Sequence, residues 1–129
     1  MPHAINRIWI HAIWTTKWRM PLITNRLEPQ VYALLYKQFK EFGCPASLIN
    51  GMPDHVHCLF MLHPLKSIAE TIKQVKGSSS HEINIQQWCS DKFAWQPGYA
   101  AYSVSESSLE VIRGYISNQK NHHQIQPMI

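Results

Sequence analysis

GMPDHVHCLFML, residues 51–62, holds a tight turn and the strand that follows it. Gly51, Met52, Pro53 and Asp54 are turn residues, and the β-branched and large apolar residues after them suit extended backbone. Side chains on a strand alternate with period two, so His55 and His57 project from the same face. Val56, Cys58, Phe60 and Leu62 take the opposite face, where they would fill a core. On spacing alone two readings stand side by side. The imidazoles are either ligands at the open end of a buried strand or incidental structural histidines.

Outward from this stretch, residues 44–50 form a short strand that the turn at 51–54 pairs with the histidine strand as a hairpin. Before it, Glu28 to Phe42 reads as a helix. Pro29 fits the first turn, Gly43 the stop, and Val31, Leu34, Leu35, Phe39 and Phe42 recur at helical spacing. The first strand is residues 3–15, HAINRIWIHAIWT. Its faces, Ile8/Ile10/Trp14 and Ile5/Trp9/Ile13, are both apolar. Such a strand is covered on both sides, or by helices on one side and a partner on the other. His11 lies on it, and a basic loop, KWRMP, follows.

Downstream, Ser67 and Glu70 form a capping box that opens the helix SIAETIKQVKGS, with Ile68, Ile72 and Val75 as its buried stripe and Gly77 as its end. Ser79 and Glu82 repeat the pattern and start a shorter helical piece through Trp88. FAWQPGYAAYSVS returns to extended structure around a Pro97-Gly98 turn. The last helix begins near Ser105 or Ser107, with Glu110 completing a third box and Leu109, Ile112 and Ile116 forming its core stripe. Tyr115 and Gln119 are i, i+4 neighbours on the rim of that stripe. The order β-α-β-β-α-(α)-β-α predicts an α+β fold: a ferredoxin-like sandwich, with an antiparallel or mixed sheet and helices packed on one face.

A chain of 129 residues, 45% of them hydrophobic, is expected to form one domain over 1–129 with a real core. Twelve basic against eight acidic residues leave a net charge of +4, compatible with a polyanionic partner but equally with an ordinary solvated surface. The three cysteines, Cys44, Cys58 and Cys89, are odd in number and form no CxxC pair, which suits a reduced, cytoplasmic chain. No apolar run reaches the roughly 18 residues of a membrane span, and the N-terminus lacks a signal-peptide pattern, so no membrane partner is expected.

Neutral imidazole binds transition metals and the divalent ions that assist phosphoryl chemistry. A metal with only two or three protein ligands keeps positions open for a phosphate oxygen. Gln119 offers a neutral oxygen that would complete a site with His55 and His57. The Tyr115 phenol becomes a nucleophile where its phenolate or its attack geometry is stabilised. Taken singly, each of these residues also has a packing explanation. His122 and His123 follow on the same helix, His122 close to the Tyr115 stripe.

Taken together, HAIWTTKWRMP, GMPDHVHCLF, SIAETIKQVKGSSS, FAWQPGYAAYSVS and VIRGYISNQK closely resemble the HUH-type single-tyrosine transposases of bacterial and archaeal insertion sequences. This is the TnpA-like, IS200-like family that acts on single-stranded DNA, and the resemblance covers most of the chain. It implies that Tyr115 attacks a phosphodiester to form a 5′-phosphotyrosine and a free 3′-OH, which another strand can reverse. It implies a divalent ion, Mg²⁺ or Mn²⁺, held by His55, His57 and Gln119, and no nucleotide cofactor. It further implies single-stranded DNA with hairpin ends as partner, and a homodimer in which the tyrosine helix serves its own subunit or the other.

Lys17, Arg19, Lys73, Lys76 and Arg113 are candidate phosphate contacts, and Trp14, Trp18 or Trp95 candidates for stacking on bases. Solvated charges and core tryptophans are the plain alternatives. Other functions also stand beside this one. A relative of the same fold could process repeated hairpin elements for its host, or a catalytically silent module could bind DNA or metal. A replication initiator or relaxase shares the two histidines, but its chain is usually longer and its motifs around the tyrosine differ.

Overall fold

β1 (Trp9–Thr15) and β3 (His55–Met61) pair antiparallel at the centre of a four-stranded sheet. The computed structural model describes residues 4–121. β2 (Ala46–Met52) flanks β3 and β4 (Ala100–Val104) flanks β1, giving the order β2-β3-β1-β4. Every pairing is antiparallel, so of the two sheet types expected the antiparallel one is formed. The α+β, ferredoxin-like reading holds. β1 starts at Trp9 rather than at residue 3, because Ile5 and Ile8 find no cover and lie exposed.

The hairpin closes more tightly than a 51–54 turn. Gly51 and Met52 belong to β2, opposite Val56 and His55, and only Pro53 and Asp54 turn. His57 pairs with Ile13 and Asn50 across the sheet. One sheet face therefore carries Trp9, His11, Ile13, Leu48, Asn50, His55, His57, Leu59, Tyr102 and Val104.

The opposite face carries Ile10, Ala12, Trp14, Val56, Cys58 and Phe60, all buried in the main core. Two helices cover it. α1 (Glu28–Glu41) brings Val31, Leu34, Leu35 and Phe39, with Pro29 in its first turn and Gly43 at φ 81° just past its end. A left-handed backbone is cheap only for glycine, and it ends the helix there. α2 (Ile68–Ile85) brings Ile72, Val75 and Ile83 behind the expected Ser67–Glu70 capping box.

Three expectations are corrected. First, α2 runs unbroken through Gly77, and Ser79 opens no second helix. The Ser78, Ser79 and Ser80 hydroxyls turn back to the Gln74, Lys76 and Gly77 carbonyls, and the buried Ser79 oxygen accepts the Trp95 indole N–H at 2.9 Å. Glu82 accepts from the Gln86 amide instead of capping. Second, the last helix has no capping box. Ser105 bonds to the Ser107 and Ser108 hydroxyls, a short 3-10 turn covers Glu106–Ser108, and α3 spans Leu109–Ser117.

Third, the helices do not all share one face. α3 lies over the histidine face, where Ile116, Ile112 and Leu109 pack with Trp9, Leu59 and Val104 in a second, smaller core. Both faces of β1 are apolar and both are covered. The apolar stripe of α3 meets the apolar residues of that second face, so the final helix becomes the lid of the histidines. No helix among the described residues is long and apolar enough to cross a membrane.

Candidate active site

Strand pairing and one helix converge on the histidine face. His55 and His57 are fully buried, with ring centroids 5.3 Å apart and planes crossing at 67°. Each imidazole is held by its Nδ1. His55 Nδ1 lies 2.7 Å from Asp54 Oδ1, and His57 Nδ1 lies 2.9 Å from Nε2 of His11. Burial pushes the Asp54 carboxyl up, but the hydrogen bond and charge of His55 and the Arg19 guanidinium outweigh it and hold Asp54 below its ordinary value. An ionised carboxylate only accepts, so Nδ1 of His55 carries the proton and donates it. Burial lowers the His55 pKa despite Asp54, and lowers His11 to about 4. Both rings are neutral at physiological pH, the form in which imidazole is a ligand.

Asp54 is fixed in turn. Arg19 Nε donates to its Oδ2 at 3.1 Å, and the Thr16 amide and hydroxyl both donate to its backbone carbonyl. Thr16 also donates to the Met20 carbonyl at 2.6 Å, which closes the 3-10 turn Lys17–Arg19 at the end of β1. Within that turn Trp18 and Arg19 adopt φ of 57° and 53°, a conformation that costs side-chain-bearing residues energy. The strained pair sets Arg19 on Asp54 and leaves the Trp18 ring 75% exposed.

α3 brings the tyrosine. The Tyr115 ring stands edge-on to His57 at 5.9 Å and to His11 at 6.3 Å between centroids. An open cleft of about 700 Å³ lies beside it, walled by His11, Tyr102, Val104, Ile112 and Tyr115 itself. Tyr115 and Gln119 are not on one unbroken helix. α3 stops at Ser117, Asn118 turns, and helical backbone resumes at 119–121. Asn50 causes the stop, because its side-chain amide donates to the Ile116 and Ser117 carbonyls at 2.9 and 3.2 Å. Gln119 is buried and its amide nitrogen donates to the Tyr115 carbonyl at 3.3 Å, which keeps it beside the tyrosine across the break. Lys120 ties the same segment down through the Gly51 carbonyl, the Asn50 side chain and Glu28.

Within one chain, Tyr115 stands against His57, His55 adjoins His57, and Gln119 is hydrogen-bonded to the Tyr115 backbone. The donor set is chemically suited to a divalent ion. His55 Nδ1 faces the Asp54 carboxylate, so any ligation by His55 would fall to its Nε2. The amide nitrogen of Gln119 faces a carbonyl, so any ligation by Gln119 would fall to its oxygen. His57 Nδ1 shares one hydrogen with His11 Nε2, in a direction that follows the tautomers of the two rings.

The candidate phosphate contacts are scattered. Lys17 and Arg19 stand exposed at the His55 end of the sheet, Arg19 paired with Asp54. Lys76 donates to the Gln96 and Gly98 carbonyls, pinning that loop to α2, and burial lowers its pKa. Lys73 is exposed one turn earlier, and Arg113 is hydrogen-bonded to Ser47 at the start of β2. Trp14 and Trp95 are core residues packed edge to face, so of the three tryptophans only Trp18 presents a ring to solvent. His122 and His123 lie outside the described residues.

Spacing along the chain assigned no role to His11, Asn50 or Lys120. The signal for His11 was its parity: it shares a face with Trp9 and Ile13, and a histidine there interrupts an otherwise apolar wall. Asn50 and Lys120 gave no such signal, since only the tertiary fold sets them against the end of α3.

A family model for IS200-like transposases matches residues 4–119, and the chain belongs to that family. It is 27% identical over 116 residues to the ISDra2 transposase TnpA of Deinococcus radiodurans, covering 84% of this chain and 81% of that one. A crystal structure of a transposase candidate from Deinococcus radiodurans R1 superposes with a TM-score of 0.73 at 25% identity, over 92% of this chain and 95% of the other. A REP-associated tyrosine transposase bound to a REP hairpin shares the fold, with a TM-score of 0.69 at 13% identity over 95% and 72% of the two chains.

Proposed function

We propose that this transposase cleaves and rejoins single-stranded DNA at insertion-sequence ends through a 5′-phosphotyrosine on Tyr115. The observation that carries the reading is the Tyr115 ring set against His57, one of two Nδ1-anchored histidines, beside an open cleft. The Tyr115 oxygen attacks phosphorus in line as the bond from phosphorus to the 3′ oxygen breaks. The proton lost by the phenol balances the one taken up by the departing 3′-OH. The phosphotyrosine keeps the bond's energy, so a 3′-OH from another strand can attack it and restore both a phosphodiester and the free tyrosine.

His55, His57 and Gln119 would hold a divalent ion, Mg²⁺ or Mn²⁺, which when bound polarises the scissile phosphate. The remaining work belongs to the chain itself. Asp54 and Arg19 orient His55, Asn50 and Lys120 anchor the segment that carries Tyr115 and Gln119, and the exposed Lys17 and Trp18 stand where a strand entering the site would meet a cation and an aromatic face. Hairpin-forming single strands are the proposed DNA partner, and a homodimer the proposed assembly.

Labelled single-stranded DNA carrying the element's end, incubated with protein and Mg²⁺, should yield a covalent protein–DNA adduct. Tyr115→Phe should abolish it. If the wild type gives no adduct with any cognate end, the strand-transfer reading fails. His57→Ala cleaving as fast as wild type would remove the metal assignment alone.

A further inference from the structure

The role of His11 follows from the hydrogen bond it makes. Its ring lies on β1, diagonal to His57 across the β1–β3 pair, and is buried among Trp9, Leu59, Tyr102 and Tyr115. Leucine would fill that wall without a polar atom to satisfy, and burying an imidazole without a partner costs free energy. Its Nε2 instead meets His57 Nδ1 at 2.9 Å.

Only one hydrogen fits between two such nitrogens, so one ring donates and the other accepts. If His11 donated, His57 would carry its own proton on Nε2 and could not ligate through it. If His57 donates, its Nε2 keeps a lone pair. Asp54, an acceptor only, already imposes that arrangement on the neighbouring His55.

We propose that His11 is a positioning residue whose Nε2 accepts the Nδ1–H of His57, fixing the tautomer and ring orientation in which His57 Nε2 is ready for a metal ion. This rests on the reading of His57 as a ligand. The two histidines are then prepared alike by different groups: a carboxylate from the hairpin turn serves His55, and a neutral imidazole from the adjoining strand serves His57. A neutral acceptor adds no negative charge under the cleft where a phosphate would sit, whereas a second carboxylate there would repel it.

Three preparations test this by Mn²⁺ titration calorimetry: wild type, His11→Leu, which removes the acceptor, and His11→Gln, which supplies an amide oxygen. His11→Leu should bind Mn²⁺ about 10- to 100-fold more weakly, and His11→Gln should restore the affinity to within a few-fold. His11→Leu binding as tightly as wild type overturns the proposal. Nitrogen chemical shifts of the metal-free wild type give a check that needs no folded variant. His57 should carry its proton on Nδ1, and a His57 protonated on Nε2 overturns the proposal. Wild type that takes up no Mn²⁺ overturns the ligand reading itself, and the role of His11 with it.

Discussion

Gly51 sits opposite Val56 in the hairpin, and a Cβ built there would lie 2.2 Å from the His55 carbonyl oxygen and 2.9 Å from the Val56 Cα. Both are backbone atoms, so nothing flexible can yield. Gly51→Ala should destabilise the protein by about 2–3 kcal/mol in urea unfolding and displace the backbone of His55. An unfolding midpoint equal to wild type would contradict the close approach. Glu106 makes a second prediction at this scale. Hydrogen bonds from Arg7 Nε at 2.5 Å and then from the Trp9 indole at 3.0 Å hold its carboxyl below the ordinary 4.5. The folded pKa is lower than the unfolded one, so the link between residue 106 and β1 is intact above about pH 4.5 and is lost as pH falls through the folded value. The Trp9 indole N–H resonance should move only below that pH, and should not titrate there in Glu106→Gln.

Among the elements, α2 departs most from its sequence pattern. A glycine and three serines in mid-helix read as a break, because glycine loses more backbone freedom than other residues and serine hydroxyls compete for backbone partners. The break does not occur because Ile72, Val75 and Ile83 bury one stripe across the whole length and Ser79 gains the Trp95 indole. Gly77 is exposed and has nothing within 4 Å of where a Cβ would go. Gly77→Ala should therefore stabilise the protein by about 0.5–1 kcal/mol in denaturant unfolding. A loss of stability would show that the glycine serves something beyond the helix. α3 shows the opposite case. Its periodicity runs on to Gln119, but the Asn50 amide takes its last carbonyls and divides it at Asn118.

Across the molecule, the site and the main core lie on opposite faces of the same sheet. Val56, Cys58 and Phe60 anchor β3 from beneath while His55 and His57 stand above. On the proposal that His55, His57 and Gln119 hold a divalent ion, chelation should abolish adduct formation but leave the protein folded, with added Mn²⁺ or Mg²⁺ restoring cleavage. Adduct yield and far-ultraviolet circular dichroism measured on one EDTA-treated sample would check this, and unfolding on chelation would place the metal in the structural framework instead.

The two sheet faces also mark what could be read from residues in a row. Alternation along HVHCLFM put the histidines on one side and the core on the other, and helical spacing in 28–42 and the box at Ser67 placed α1 and the start of α2. These are local preferences of a few consecutive residues, written directly in their order. Where α3 breaks, and that His11 reaches His57, are set by contacts between residues 46 to 67 positions apart, and the face α3 covers is set by its packing on Trp9, Leu59 and Val104. A diagonal pair across two strands, or an amide capping a distant helix, leaves no period in the sequence. The sequence by itself determined the family and the placing of His55 and His57 on one face of one strand. The tertiary structure alone decided which neighbours hold each imidazole, because strand register and helix docking bring those groups within hydrogen-bonding distance.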